Sequence, residues 1–391
     1  LGDAFGDSLA SIYDKHQPMG SYAAIMEVSP EPETQIAEGA GSMRLPPLRV
    51  EGAIKPETIS FLTESGRVDL EVESGRIGID GADGRIHDLR VRGSSWNALV
   101  RGHWQRPGDD SFALQTDATL DSEGLPDDLL ALLPATARDV LSDLGVTVEG
   151  GVRGRALRLN VERAPHDDRL AMDFTGTVYA GRASAQVGTE LTEIDGRLDL
   201  DVRTLTGRAP EYTIDASATR LRAAGVRVSD AHARFRAGDE AGSVRIPTIT
   251  GAIHGRRLAG SAQIITRAGG ASEGEPRRSY WADAQLSRVR AAPLLADLGL
   301  GKDADTQRWS EGDDVSRGLL DASVSLHADV DDPASRVGRG SVIVSGGEVV
   351  ELPLFLQLIE FSNLQAPVAP KLDLAQTDFF VEGDLITFEN I

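Results

Sequence analysis

Apolar and polar residues alternate along much of the chain. Val68, Leu70 and Val72 alternate with charged residues, and the same pattern recurs at 157–161, 198–202 and 320–326. Successive side chains of a β-strand point to opposite faces, so each such strand has one apolar face and one solvated face. A solvated face favours antiparallel pairing, because parallel sheets are usually covered on both faces. The pattern predicts a mainly β fold: an extended, twisted antiparallel sheet that forms a repeated β-groove.

Small-residue dipeptides interrupt this alternation at the spacing of hairpins. We expect turns there, because Asp, Ser and Gly favour the backbone conformations of tight turns. These segments are Ser74-Gly75, Asp80-Gly81, Asp83-Gly84, Asp195-Gly196, Ser345-Gly346-Gly347 and Glu382-Gly383-Asp384.

The form Gly-x-apolar-Asp-apolar-x-Val occurs three times, starting at Gly66, Gly196 and Gly318. Two interpretations stay open. The recurrence indicates loose repetition of a supersecondary unit, or it is simply how a strand begins in a chain with 42 glycines.

Predicted helices are few and short. Residues 126–144 have helical spacing that Pro134 kinks, and 291–298, 352–363 and 5–15 are weaker candidates. Residues 267–279 and 301–318 have the composition of exposed loops. At 391 residues the chain is too long for one ordinary core. We expect three segments: an N-terminal β-groove segment with helices at 1–145, a middle one at 146–290, and a C-terminal region at 291–391.

Composition excludes several classes of function. The 61 acidic and 40 basic residues give a net charge of −21, which repels nucleic acid and anionic headgroups. The absence of cysteine excludes disulfides, thiolate metal sites and cysteine nucleophiles. No apolar run approaches the roughly 20 residues that span a bilayer. The chain starts at Leu1 and stops at Ile391 within a strand pattern, so we expect a fragment of a longer protein.

Catalytic and metal motifs are weak. Gly6-Asp7-Ser8-Leu9 spells the nucleophile block of one hydrolase class, but no Asp-x-x-His supplies the base, and a helix N-cap at Asp7 or Ser8 is the better interpretation. No two histidines have a short metal-ligand spacing. The acidic segments 80–84 and 329–332 lack EF-hand spacing and are typical of turns. We therefore expect no enzyme, cofactor or metal.

The apolar stripes themselves are the remaining candidate site. In one long curved sheet they line a trough that shelters acyl chains, whereas in a β-sandwich they fill a closed core. The candidate lining residues are Val68, Leu70, Val72, Ile77, Ile79, Leu198, Leu200, Val202, Val342 and Val344.

The last segment, 338–391, carries a family resemblance. A Gly-flanked strand at 340–347 leads into Leu352-Pro353-Leu354, a short apolar helix, and a strand at 377–381. This order resembles the C-terminal region of AsmA-like bacterial envelope proteins, which include the TamB-like proteins. Residues 20–337 resemble these proteins only in the general character of their sequence.

The resemblance implies a membrane-anchored β-groove in the periplasm, held in the inner membrane by a segment missing from this chain. It implies lipid transport in outer membrane biogenesis: a non-enzymatic segment that shields phospholipid or other acyl chains between inner and outer membrane, with envelope assembly proteins as further partners. The alternative is a structural or adhesive all-β envelope protein that binds protein partners without lipid.

Overall fold

The computed structural model describes residues 17–30, 48–63, 66–106, 111–133, 138, 141–142, 144–164, 169–186, 190–238, 243–267, 277–298, 318–330, 332–345, 374–383 and 385–389. Contacts between Cα atoms divide the chain into two compact units. Unit 1 comprises residues 1–180 and 199–210, and unit 2 comprises 181–198 and 211–391.

The chain forms an antiparallel sheet of 20 strands, which confirms the predicted mainly β fold. Unit 1 contains β1 (Tyr22–Pro30), β2 (Leu48–Pro56), β3 (Thr58–Thr63), β4 (Gly66–Asp80), β5 (Asp83–Arg92), β6 (Trp96–Gln105), β7 (Phe112–Ser122), β8 (Thr147–Val148) and β9 (Val152–Arg163). Two longer strands, β10 (Ala171–Gln186) and β11 (Glu190–Leu205), contribute residues to both units.

Unit 2 contains β12 (Glu211–Ala223), β13 (Val226–Ala237), β14 (Val244–Ile253), β15 (Arg256–Arg267), β16 (Arg277–Arg290), β17 (Leu319–Asp329), β18 (Asp332–Ser345), β19 (Leu374–Glu382) and β20 (Leu385–Glu389). From β12 to β20 each strand pairs with the next one along the chain. In unit 1, β2 and β3 lie along the same edge of β4, and β5 occupies its other edge.

The alternation predicted from sequence appears as two chemically different faces. In β4, Val68, Leu70 and Val72 are buried while Arg67 and Asp69 are exposed. The solvated face carries opposite charges on neighbouring strands. Asp117 on β7 accepts a hydrogen bond from Arg158 of β9 at 2.9 Å. Such exposed pairs contribute at most about 1 kcal/mol each, but like charges in a shifted register would repel.

Two buried clusters each lie beneath a short helix. Helix α1 (Asp127–Leu130) begins after Pro126, as predicted, but it ends at Leu130 and does not continue to residue 144. It inserts Leu129 into the cluster of unit 1. Helix α2 (Ala291–Asp297) matches the predicted 291–298 and inserts Leu294 into the cluster of unit 2. The unit 1 cluster is Val68, Leu70, Val72, Leu89, Val91, Trp96 and Leu129, and the unit 2 cluster is Val226, Val228, Ile253, Val289 and Leu294.

Several local predictions need correction. The predicted loop 267–279 is partly strand, because β15 extends to Arg267 and β16 begins at Arg277, with which it pairs. The predicted helices 352–363 and 5–15, and residue Pro134, lie outside the described residues. Gly66 and Gly318 stand at or just before a strand start, but Gly196 lies within β11. The division into three segments stays a prediction.

Three of the predicted turn segments lie within strands: Ser74-Gly75 in β4, Asp83-Gly84 at the start of β5 and Asp195-Gly196 in β11. Strand β4 continues through Ser74-Gly75, where its register with β5 shifts on both sides of Ser74. Gly75 has φ +117°, and a Cβ there would lie 2.6 Å from the Cα of Leu89. Only glycine can adopt this φ and also leave room for the backbone of Leu89. The extra residue returns Ile77 and Ile79 to the face of Val72, so the bulge preserves the apolar stripe.

Asp195, in the predicted turn segment of β11, supports a similar irregularity. Its Oδ1 accepts a hydrogen bond from the backbone N–H of Arg182 at 3.1 Å, and Arg182 has φ +46° within β10. Its Oδ2 accepts a second from Arg220 at 2.7 Å. These hydrogen bonds, that from the Arg182 backbone first, lower the pKa of Asp195. Turn signals fail here because a bulge requires the same small residues and positive φ values as a turn. The turns at Gly81 and Gly383 are confirmed.

We expect Val289→Ala to lower the free energy of unfolding of unit 2 by about 2–3 kcal/mol, since it removes buried methyl groups and leaves a cavity. Val289 has no exposed surface. Val337 of β18, half exposed at 50%, supplies the control. Val337→Ala should change stability by no more than about 0.5 kcal/mol. Urea denaturation of both variants measures the difference, and equal losses would show that the cluster at Val289 does not stabilise the unit.

Candidate functional site

Unit 2 presents an apolar sheet face built from three rows of residues. Directly paired residues of antiparallel strands lie on the same face, so the strand register defines each row. Two rows run across β15 to β19 and comprise Gly260, Ala284, Val324, Gly340 and Phe379, and Ala262, Ala282, Leu326, Gly338 and Val381. The third row comprises Leu258, Leu286, Ala322 and Val342 on β15 to β18, and on β19 it ends at the buried polar residue Thr377. We call these residues the apolar face of unit 2.

The aliphatic side chains of this face are only partly buried. Val324 and Leu326 are of intermediate exposure, unlike the completely buried Val289. Leu258 is also of intermediate exposure, and it packs against the unit 2 cluster beneath helix α2. Phe379 lies over Gly340, where a Cβ would come within 2.2 Å of its ring. Beyond β19, the edge strand β20 leaves Ile386 52% exposed. The face therefore keeps apolar surface that a ligand can cover.

The structure places the ten candidate groove residues in different environments. Val68, Leu70 and Val72 come together beneath helix α1. Ile77, Ile79, Leu200, Val202 and Val342 are half-buried, and Val344 is 9% exposed. Leu198 is exposed at 38%. Val342 is the candidate that belongs to the apolar face of unit 2. The assignment of all ten to a groove stays a prediction.

Helix α1 is held over the unit 1 cluster by one carboxylate. Asp128 Oδ2 accepts hydrogen bonds from the Ser94 backbone N–H at 2.7 Å and from the Trp96 indole N–H at 2.9 Å, and its Oδ1 accepts from the Ser94 hydroxyl. Burial of Asp128 raises its pKa, but these hydrogen bonds outweigh burial, so the pKa lies below its ordinary value of 3.8. The helix therefore depends on the ionised form of Asp128.

Helix α2 has a weaker attachment. His254 Nε2 lies 3.2 Å from Asp297 Oδ2, a distance suited to an ion pair. That buried oxygen has no partner with hydrogen-bond geometry among the described residues. The contact is an ion pair only in the protonated form of His254.

Sequence reasoning missed a depression of about 740 Å³ on the opposite, solvated face of unit 2. It spans β15 to β19, and two rows of mostly polar residues line it together with Gly260, Ala284, Val324, Gly340 and Phe379 of the row between them. One row pairs Ser261, Asp283, Ser325, Arg339 and Phe380, and the other pairs Ala259, Gln285, Ser323, Ser341 and Asp378. We call this the polar depression. Serines at alternate positions of β17 and β18 were the signal in the sequence.

The described residues contain no group of three or more His, Asp or Glu side chains that could hold a metal ion. In the acidic segment 80–84, Asp80 pairs with Arg49, and Asp83 accepts a hydrogen bond from the Arg106 backbone N–H at 3.1 Å. Gly6-Asp7-Ser8-Leu9 lies outside the described residues. Within the same part of the chain, no helix has the length and apolar character needed to cross a membrane.

Comparison with protein-family models, with curated proteins and with solved structures found no match to this chain. The AsmA-like resemblance of residues 338–391 therefore stays a proposal.

We expect Asp128→Ala to lower the free energy of unfolding of unit 1 by about 1–3 kcal/mol at neutral pH, because it leaves the Ser94 and Trp96 donors unpaired. Because the folded-state pKa is depressed, this contribution is present above the unfolded-state pKa and is lost as pH falls through the folded-state pKa, below 3.8. The difference between wild type and variant in urea denaturation should shrink there.

Asp127→Ala is the matched control, since Asp127 is the exposed neighbour on the same helix. It should leave the stability of unit 1 within about 0.5 kcal/mol of wild type. If the two alanine variants are equally stable at neutral pH, Asp128 does not anchor the helix.

Proposed function

We propose that this chain is a non-enzymatic lipid-binding segment that shelters acyl chains on an apolar sheet face. The apolar face of unit 2 is the observation that carries the proposal. Two adjacent rows of apolar residues cross five strands there and a third crosses four, and their side chains are of intermediate exposure. Soluble proteins rarely leave such extended apolar surface uncovered, and where they do it commonly binds a partner or ligand.

Burial of hydrocarbon supplies the binding energy. Each methylene of an acyl chain that leaves water contributes about 0.8 kcal/mol, so a chain laid along a few side chains is held without any polar contact. The charged residues lie on the other face of the strands, as Asp283 and Arg339 do, and leave the apolar rows free of charge. The headgroup stays in water. Transfer is passive, and no residue has to perform chemistry.

The resemblance to AsmA-like proteins supports the same proposal from a different direction. By that likeness the lipid is a phospholipid, the compartment is the periplasm, and transport toward the outer membrane is the role. The net charge of −21 fits a segment that receives lipid by its acyl chains, because anionic headgroups are repelled from its surface.

The two sealed clusters favour a second candidate function. Helices α1 and α2 close parts of the apolar surface with Leu129 and Leu294. Closed cores of this kind suit a structural or adhesive all-β protein that binds protein partners without lipid. The edge strand β1, where Ile25 is 82% exposed and Tyr22 is 65% exposed, would then be a surface for another strand.

Native mass spectrometry of the protein purified from bacterial cells tests the lipid proposal. We expect wild type to carry lipid, and Val342→Asp to carry several-fold less, because a carboxylate beside an acyl chain costs several kcal/mol. Val337→Asp is the matched control: the same substitution lies on the same strand but on the opposite face, since β18 has no register shift between these positions.

Val324→Thr provides a milder second variant, which adds a hydroxyl at nearly constant volume and should reduce bound lipid without unfolding the unit. Thermal unfolding of each variant separates lost lipid from lost structure. Wild type that carries no lipid would refute the proposal, and so would equal lipid loss in Val342→Asp and Val337→Asp.

A further inference from the structure

We propose that the polar depression of unit 2 is a binding site for a neutral oligosaccharide. By strand alternation its polar side chains lie on the face opposite the apolar face, and between them its lining includes the row from Gly260 to Phe379. The proposal does not depend on lipid binding. Its volume of about 740 Å³ falls in the range of roughly 300–1,000 Å³ that small-molecule sites occupy.

The floor of the depression is made of small side chains. Ser323 and Ser341 lie opposite each other with their hydroxyls 3.0 Å apart, and the Ser325 hydroxyl donates to Asp283 Oδ1 at 2.6 Å. Small residues let a flat ligand come close to the sheet, where long side chains would keep it away. The hydroxyls already have partners here, so the surface is ordered before any ligand arrives.

Larger polar groups at the depression offer hydrogen bonds of both kinds. Gln285, Arg339 and Asp378 line it, and within the described part of the chain none of their side chains has a recorded hydrogen bond or ion pair. Arg339 can only donate, Asp378 can only accept, and Gln285 can do both. A sugar hydroxyl is also both donor and acceptor, so these groups match a polyhydroxyl ligand better than a ligand of one charge.

Exposed aromatic rings stand at two sides of these polar groups. Trp281 is 54% exposed and Phe380 is 45% exposed. Trp281 pairs with His327 on the same face, and their rings meet edge to face with centroids 5.4 Å apart, which fixes the orientation of the indole. The C–H face of a pyranose ring is apolar and packs on such a ring, while its hydroxyls point to polar neighbours.

The distance between the two aromatic residues favours an oligosaccharide over a single sugar. Trp281 is on β16 and Phe380 on β19, three strand spacings apart, which is about 14 Å across the sheet. The ligand should carry no net charge. Asp283, Asp378 and Arg339 give the depression mixed charge, and the net charge of −21 repels polyanions.

Isothermal titration calorimetry with maltohexaose, cellohexaose and chitohexaose tests the proposal. We expect saturable binding of at least one of the three, and Trp281→Ala should weaken it about tenfold or more, as the loss of one stacked ring implies. Gln285→Ala should weaken it severalfold. Trp281 is exposed, so the variant should unfold at the same temperature as wild type.

Tyr22→Ala is the control, since Tyr22 is an equally exposed aromatic residue on unit 1 and should leave binding unchanged. Failure of all three hexasaccharides to bind wild type would overturn the proposal, as would unchanged binding to Trp281→Ala. A protein that co-purifies with wild type but not with Trp281→Ala, in the absence of sugar binding, would assign the depression to a protein partner and also overturn it. The lipid content of Trp281→Ala should equal that of wild type.

Discussion

The structure depends on the register of the backbone hydrogen-bond ladder. Side chains alternate between the two faces with a period of two, so a slip of one residue would move every apolar side chain of a strand to the charged face. Opposite charges on neighbouring strands oppose such a slip. Asp117 on β7 meets Arg158 on β9, and Asp215 on β12 meets Arg234 on β13 at 2.6 Å. Each pair contributes little stability, but the charges and the apolar rows specify one register together.

The ladder tolerates irregularities because each has a chemical partner. The bulge at Gly75 shifts the register and keeps Ile77 on the face of Val72. In β10, the unusual backbone of Arg182 exposes an N–H that Asp195 satisfies, and in β16 the N–H of Arg288, at φ +53°, is satisfied by Asp321. Acidic side chains therefore accept hydrogen bonds from backbone N–H groups at these irregular positions, which explains part of the strongly acidic composition.

On the two proposals, the unlike faces of the unit 2 sheet would take two kinds of ligand. The apolar rows would hold hydrocarbon without directional contacts, whereas the polar depression offers polar side chains with the exposed aromatic rings of Trp281 and Phe380 beside them. In each unit a short helix covers part of the apolar surface: Leu129 does so in unit 1, and Leu294 does so in unit 2, where Val324 and Leu326 stay partly exposed. Asp128 accepts several hydrogen bonds, whereas among the described residues the side chain of Asp297 lies beside His254 without a hydrogen bond to its buried oxygen.

The sequence by itself determined the antiparallel β fold, the apolar stripe of β4 and the starts of both described helices. Period-two alternation and the residues Pro126 and Ala291 are local signals, and local geometry converts them directly into structure. Tertiary structure decided the rest. Asp195 and Ser74 carry turn signals but lie within strands, because only pairing with a neighbouring strand distinguishes a turn from an irregularity in a strand. The polar depression joins residues more than a hundred positions apart, such as Ser261 and Phe380, so no local pattern could reveal it.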